Sequence, residues 1–278
     1  MQSSNPVFAR SAGFNGRDGQ GNAYASSPAT WGTGVPGAPS THLDPTVDGG
    51  RMTIDSVVQK TGLTLLVVVL GAALTWLFTG DIATDPSGAL PGLYTLAMVG
   101  ALGGFALSMV NSFKRVVSPG LVIAYAALQG VFVGAFSKVL EAQFGGGLVI
   151  GAVVGTIAAV GGTLAAYKFF NIQVGQKFRT WVVAALFGFV AVSLLDLVLS
   201  FFHADFGFNG FGGLGLVMSI VGLGLGVLML ILDFDFVERG IAAGLPERES
   251  WRAAFGLTVT IVWIYVELLR LLAILRGN

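Results

Sequence analysis

Seven apolar stretches, near 63–80, 91–112, 119–137, 146–167, 180–202, 214–236 and 253–274, dominate this 278-residue chain. Each is long enough to cross roughly 30 Å of hydrocarbon as a helix. The first four carry no charged residue. Helices buried in a large soluble protein keep a polar face, and these lack one. Only 11% of the residues are charged while 54% are hydrophobic, too little polar surface to keep a domain of this size in solution. The pattern predicts an all-α fold: a polytopic membrane protein built as a seven-transmembrane-helix bundle.

The opening segment differs. Residues 1–55 are rich in Gly, Ser, Pro and Asn and contain no apolar run. Such a segment buries too little apolar surface to offset the entropy of ordering, so it reads as a disordered cytoplasmic tail. It has no apolar h-region and so is not a signal peptide. Residues 56–278 form the membrane domain. Within it, Gly100/Gly104, Gly130/Gly134, Gly147/Gly151/Gly155 and Gly222/Gly226 each place glycines one turn apart. That spacing lets helix backbones approach, and close packing of one bundle is the expected use.

The basic residues set an orientation. Arg51, Lys60, Lys114, Arg115, Lys168, Lys177, Arg179, Arg239, Arg248 and Arg252 fall on the side of the amino terminus. Only Lys138 and Arg276 fall on the other, with Asp81 and Asp85 in the 1–2 loop, Glu141 in the 3–4 loop and His203 and Asp205 in the 5–6 loop. The positive-inside rule then predicts a plasma-membrane protein with a cytoplasmic amino terminus and an external carboxyl terminus.

Several functions are excluded on composition. Acidic and basic residues balance at fifteen each, so there is no nucleic-acid footprint. There is no cysteine, and the two histidines, His42 and His203, lie outside the spans. No tightly bound metal, no catalytic residue and no enzyme activity are expected. Candidate chemistry rests on ionisable residues within the spans, which are costly there and hence functional by default. These are Asp196 in helix 5, Asp233 and Asp235 near the end of helix 6, and Glu267 and Arg270 in helix 7. At about 1.5 Å per residue, Asp196 and Glu267 share an outer level, roughly 25 Å from the basic side, while Asp233 lies near the inner end. Two levels of acid suit a cation path; two independent structural ion pairs have the same appearance. Asp235 has Arg239 one turn on, and Glu267 has Arg270. Asp233 has no such neighbour and needs a partner on another helix.

The closing segments carry a resemblance. Helix 6 ends LILDFDFVERG and helix 7 reads AFGLTVTIVWIYVELLRLLAIL. With the seven spans, these resemble the Bax inhibitor-1 family (transmembrane Bax inhibitor motif proteins, with bacterial YccA-like members). The opening MQSSNPVFAR resembles its actinobacterial form. The resemblance implies a bundle that leaks cations, transiently bound Ca2+ above all, under pH control. It also implies a carboxylate pair between helices 6 and 7 that shares a proton and acts as a latch. Here Asp233 matches the helix 6 acid, Leu232 replaces an aromatic residue, Asp235 replaces an Asn, and Leu268, Leu269 and Arg270 match the terminal Leu-Leu-Arg. An ungapped alignment places Thr260, not an acid, at the second acidic position, so Asp233 has a hydroxyl as its nearest counterpart. Asp235 is a poor substitute, because positions two apart point about 200° apart on a helix. The leading expectation is a passive calcium-type leak channel, pH-modulated through Asp233. The alternative is a non-transporting scaffold that regulates a partner such as a membrane quality-control protease. Both work in contact with the lipid bilayer.

Overall fold

A computed structural model describes residues 50–80, 82, 86–170 and 172–277. The tail up to residue 49, with His42, lies outside the described residues, as do Asp81 and Asp85. Seven helices follow one another: α1 Ile54–Phe78, α2 Pro86–Phe113, α3 Pro119–Phe144, α4 Leu148–Phe169, α5 Gln176–Ser200, α6 Gly213–Ala242 and α7 Glu249–Gly277. All seven are long and apolar enough to span a membrane, and the chain is a multi-span membrane protein. Successive crossings put the start of α1 and the 2–3, 4–5 and 6–7 connections on one side, called here the basic side.

Most helices run past the hydrocarbon pattern that predicts them. Residues 138 and 141, expected in a loop, belong to α3. Lys138 Nζ donates to the carbonyls of Trp76 (3.0 Å) and Thr79 (2.8 Å) at the end of α1. Glu141 accepts from the Gly147 and Val149 amides, the latter at 2.7 Å, and so caps α4. Arg179 and Arg239, also expected in loops, lie in α5 and α6. Each charge ends a hydropathy window while its side chain satisfies orphan backbone groups or pairs with another charge, so the helix itself continues. α1 likewise starts at Ile54, where Thr53 and Ser56 form a capping box.

α7 is the axis of the bundle. It packs against α1, α3, α4 and α6, whereas α2 lies chiefly against α3 and α5 chiefly against α6, with Phe189 of α5 also meeting Trp263 of α7. The glycine pairs set these contacts within one chain. A Cβ on Gly130 would come within 2.5 Å of the Val68 carbonyl, and one on Gly134 within 2.7 Å of Ala72 Cα, so α1 and α3 touch backbone to backbone. α1 and α7 run parallel and are joined by hydroxyls. Ser56 Oγ meets Ser250 Oγ at 2.7 Å, and two turns on Thr64 Oγ1 meets Thr258 Oγ1 at 2.6 Å. Lys60 pairs with Glu247 at 2.9 Å. Ahead of α1, Met52 N donates to Leu245 O (2.8 Å) and Glu247 N to Gly50 O (3.0 Å), clasping the 6–7 connection.

Candidate functional site

The α6–α7 seam carries three of the ionisable candidates. The two helices run antiparallel, and glycines on one sit opposite acids on the other. Asp233 of α6 lies over Gly256 of α7, with Oδ1 3.4 Å from where a Cβ would stand. Glu267 of α7 lies over Gly222 of α6, with Oε1 2.7 Å from the corresponding point. Eleven residues separate 222 from 233, and eleven separate 256 from 267, so the acids stand roughly 16 Å apart along the seam. Between them Gly226 packs on Trp263 and Ile264, and Leu230 and Ile264 are fully buried. The seam is thus carboxylate, apolar seal, carboxylate.

At the basic-side level, Thr260 Oγ1 donates to Asp233 Oδ2 at 2.6 Å. Asp233 has no Lys or Arg in ion-pair distance among the described residues. It faces α7 and is half-buried. Asp235 points elsewhere: Oδ1 accepts from Arg239 Nε (2.9 Å) and Oδ2 from Arg179 Nη2 of α5 (2.8 Å). Asp233 and Asp235 therefore do not act on one site, as the helical rotation between them requires.

At the far level, Glu267 Oε2 lies 3.9 Å from Arg270 Nη1, a loose contact between two buried side chains. Arg270 Nη2 is committed to the carbonyls of Phe208 and, at 3.3 Å, Gly210. Asp196 grips the same connection: its oxygens accept from the amides of Phe206 (2.9 Å) and Asn209 (2.8 Å). Asp196 and Arg270 thus hold the 5–6 connection by its amides and its carbonyls respectively. Glu267 Oε2 and Arg270 Nε have no hydrogen-bond partner among the described residues.

Apart from Thr260, the neutral polar residues that join the helices carry little signal in the sequence. The one trace of the Thr64–Thr258 and Ser56–Ser250 contacts in the sequence is a spacing of eight residues that α1 and α7 share. Ser137 and Tyr265 meet at 2.7 Å between α3 and α7. Gln129 also stands out, as one of two amides, with Asn111, in the expected spans without charge.

A family model described as "Bax inhibitor 1 like" matches residues 5–277. A relative from Chlamydia muridarum (strain MoPn / Nigg), carrying the name "Uncharacterized protein", is 30% identical over 159 residues, 55% of this chain and 64% of that protein. The chain thus spans a little under two thirds of the relative's length.

Proposed function

The chain belongs to the Bax inhibitor 1-like family, and on that premise we propose that it is a passive, calcium-type cation leak channel whose cation passes Asp233. One observation carries this reading: Asp233 is a half-buried carboxylate on the α6–α7 seam that faces a hydroxyl instead of a counter-charge. Calcium takes six to eight oxygen ligands. One carboxylate, the Thr260 hydroxyl, backbone carbonyls and water make a transient stop rather than a tight site, and a leak needs no more. A cation arriving at Oδ2 displaces the Thr260 hydrogen bond; the O–H group keeps its proton and rotates, and its oxygen then becomes a ligand. Glu267, roughly 16 Å along the seam, offers the second negative level, and the Leu230–Ile264 seal between them is the part that must part. With no second carboxylate in contact with Asp233 among the described residues, this reading does not use proton sharing. At this level the pH response falls to Asp233, since protonation removes the charge that attracts the cation.

The basic side faces the cytoplasm in this reading, which places the protein in the plasma membrane with its carboxyl terminus outside. No catalytic step and no resident cofactor are involved. Calcium flux into dye-loaded proteoliposomes tests the reading, with Asp233→Asn as the decisive variant.

The scaffold alternative draws on a different observation. Residues 50 and 52, at the end of the tail, clasp the 6–7 connection. A partner such as a membrane protease that pulled on the tail would act on the ends of both seam helices. Removal of residues 1–48 separates the readings: a channel still conducts, and a tail-dependent regulator loses its partner.

A further inference from the structure

A second polar feature adjoins the seam on the α3 side, where Trp263, Glu267 and Arg270 of α7 line it. Because the backbone of α2 lies close only to α3 and that of α5 only to α6, a groove is left with α3 and α7 as its floor and α5 as one wall, bridged where Phe189 of α5 reaches Trp263 of α7. A cavity of about 480 Å³ occupies it. A smaller one of about 230 Å³ continues it towards α2, and the two share Tyr125, Gln129 and Phe132. Leu194 and Leu197 of α5, both about half exposed, form the lip, so the groove opens sideways into lipid.

Three polar side chains on its walls lack any hydrogen-bond partner among the described residues: Ser108 of α2 and Tyr125 and Gln129 of α3. Tyr125 is only 4% exposed. Gln129 Oε1 lies against Gly104 of α2, 2.9 Å from where a Cβ would stand. Tyr125 and Gln129 lie about 9 and 15 Å into α3 from Pro119, a depth at which an unpaired polar group is costly. Beyond Ser108, just past the end of α2 at Phe113, come Lys114 and Arg115, exposed and without an ion pair among the described residues. Arg252, itself paired with Glu249, donates to the Arg115 carbonyl at 2.9 Å and brings a third cation beside these two.

We propose that this groove holds one anionic phospholipid of the leaflet that borders the basic side. Its phosphate sits on Lys114 and Arg115. Its ester carbonyls accept from Ser108, Tyr125 and Gln129, and one acyl chain runs over Phe132 and Trp263 towards Leu197. The alternative filling is water, and the cavity has room for about sixteen molecules. Yet apart from Glu267 and Arg270, which face each other at the far level, most of its lining is aromatic and aliphatic, and its lip meets hydrocarbon. An amphiphile satisfies both the deep donors and the basic mouth; an acyl chain alone satisfies neither.

Trp263, which lines the cavity, reports on its occupant. The test uses full-length protein with Trp31, Trp76, Trp181 and Trp251 changed to Phe. It is placed in vesicles where the minority lipid, either phosphatidylglycerol or phosphatidylcholine, carries brominated chains that quench indole fluorescence. Each basic residue favours an anionic lipid by about fivefold. Brominated phosphatidylglycerol is therefore expected to quench Trp263 at least about fivefold more effectively, mole for mole, than brominated phosphatidylcholine. Lys114→Ala with Arg115→Ala abolishes the preference. A companion protein keeping only Trp181, which is 76% exposed, is quenched alike by both lipids. Equal quenching of Trp263 by both lipids means ordinary annular lipid and overturns the proposal. So does an absence of quenching, or a preference that survives the double alanine variant. The unaltered protein in detergent supplies a second measure: phosphatidylglycerol raises its unfolding midpoint, phosphatidylcholine does not, and a midpoint indifferent to headgroup also overturns the proposal.

Discussion

Thr260 presents its hydroxyl to Asp233 across the α6–α7 seam, Oγ1 to Oδ2, at 2.6 Å. No positive side chain shares that carboxylate among the described residues. At an effective dielectric of about 20, a unit charge 4 Å from a cation contributes roughly 4 kcal/mol. Neutralising Asp233 therefore removes most of what attracts a cation to this level. Asp233→Asn and Asp233→Ala should each lower calcium flux into proteoliposomes by about tenfold or more. Flux unchanged in both variants removes Asp233 from the path.

The pH dependence follows from the same carboxylate, with one sign. Acidification protonates Asp233, the neutral acid no longer attracts a cation, and flux falls as pH falls. Asp233→Asn flattens that profile whatever its amplitude. Thr260→Asp restores two carboxylates in contact, which titrate as a coupled pair. Its flux should change more steeply with pH than that of the unaltered protein. Profiles recorded on the three proteins in identical vesicles check both statements.

Arg270 organises the far end of the seam. It holds the carbonyls of Phe208 and Gly210 and lies beside Glu267, all in a buried setting. Arg270→Ala leaves Glu267 without its partner, and breaking a buried pair in this way costs about 3–5 kcal/mol. The thermal midpoint should fall sharply. Removing both charges, as Glu267→Gln with Arg270→Met, should cost less than Arg270→Ala alone. The reverse order in a thermal unfolding assay contradicts this account.

How much of this was legible in the sequence depends on which force set each feature. The spans were legible because hydrocarbon demands apolar runs, and all seven appear as helices. Their ends were not, because Lys138, Glu141, Arg179 and Arg239 end a hydropathy window without ending a helix. The opposed directions of Asp233 and Asp235 followed from helix rotation alone, and Thr260 was placed beside Asp233 by alignment. The grip of Asp196 and Arg270 on the 5–6 connection was not legible. It pairs side chains with backbone groups, and backbone groups carry no sequence signal. Gln129 and Tyr125 were passed over because neutral polar residues are common in membrane helices and only the absence of a partner marks these two.

The α1–α3 contact rests on glycine, and its failure is predictable in direction. A Cβ on Gly130 would stand 2.5 Å from the Val68 carbonyl and 3.1 Å from Val68 Cα, both backbone atoms that cannot swing aside. Gly62, on α1 itself, has nothing within 4 Å of the same point. Overpacking a tight interface costs about 1–3 kcal/mol, and in lipid no hydrophobic gain offsets it. Gly130→Val should therefore lower the unfolding midpoint in detergent, whereas Gly62→Ala should leave it unchanged or raise it slightly through better helix propensity. Because α7 packs on both α1 and α3, the loss at Gly130 should also loosen α7. Faster amide exchange along 257–266 in Gly130→Val, with no such change in Gly62→Ala, is the measurement that links this distant contact to the seam.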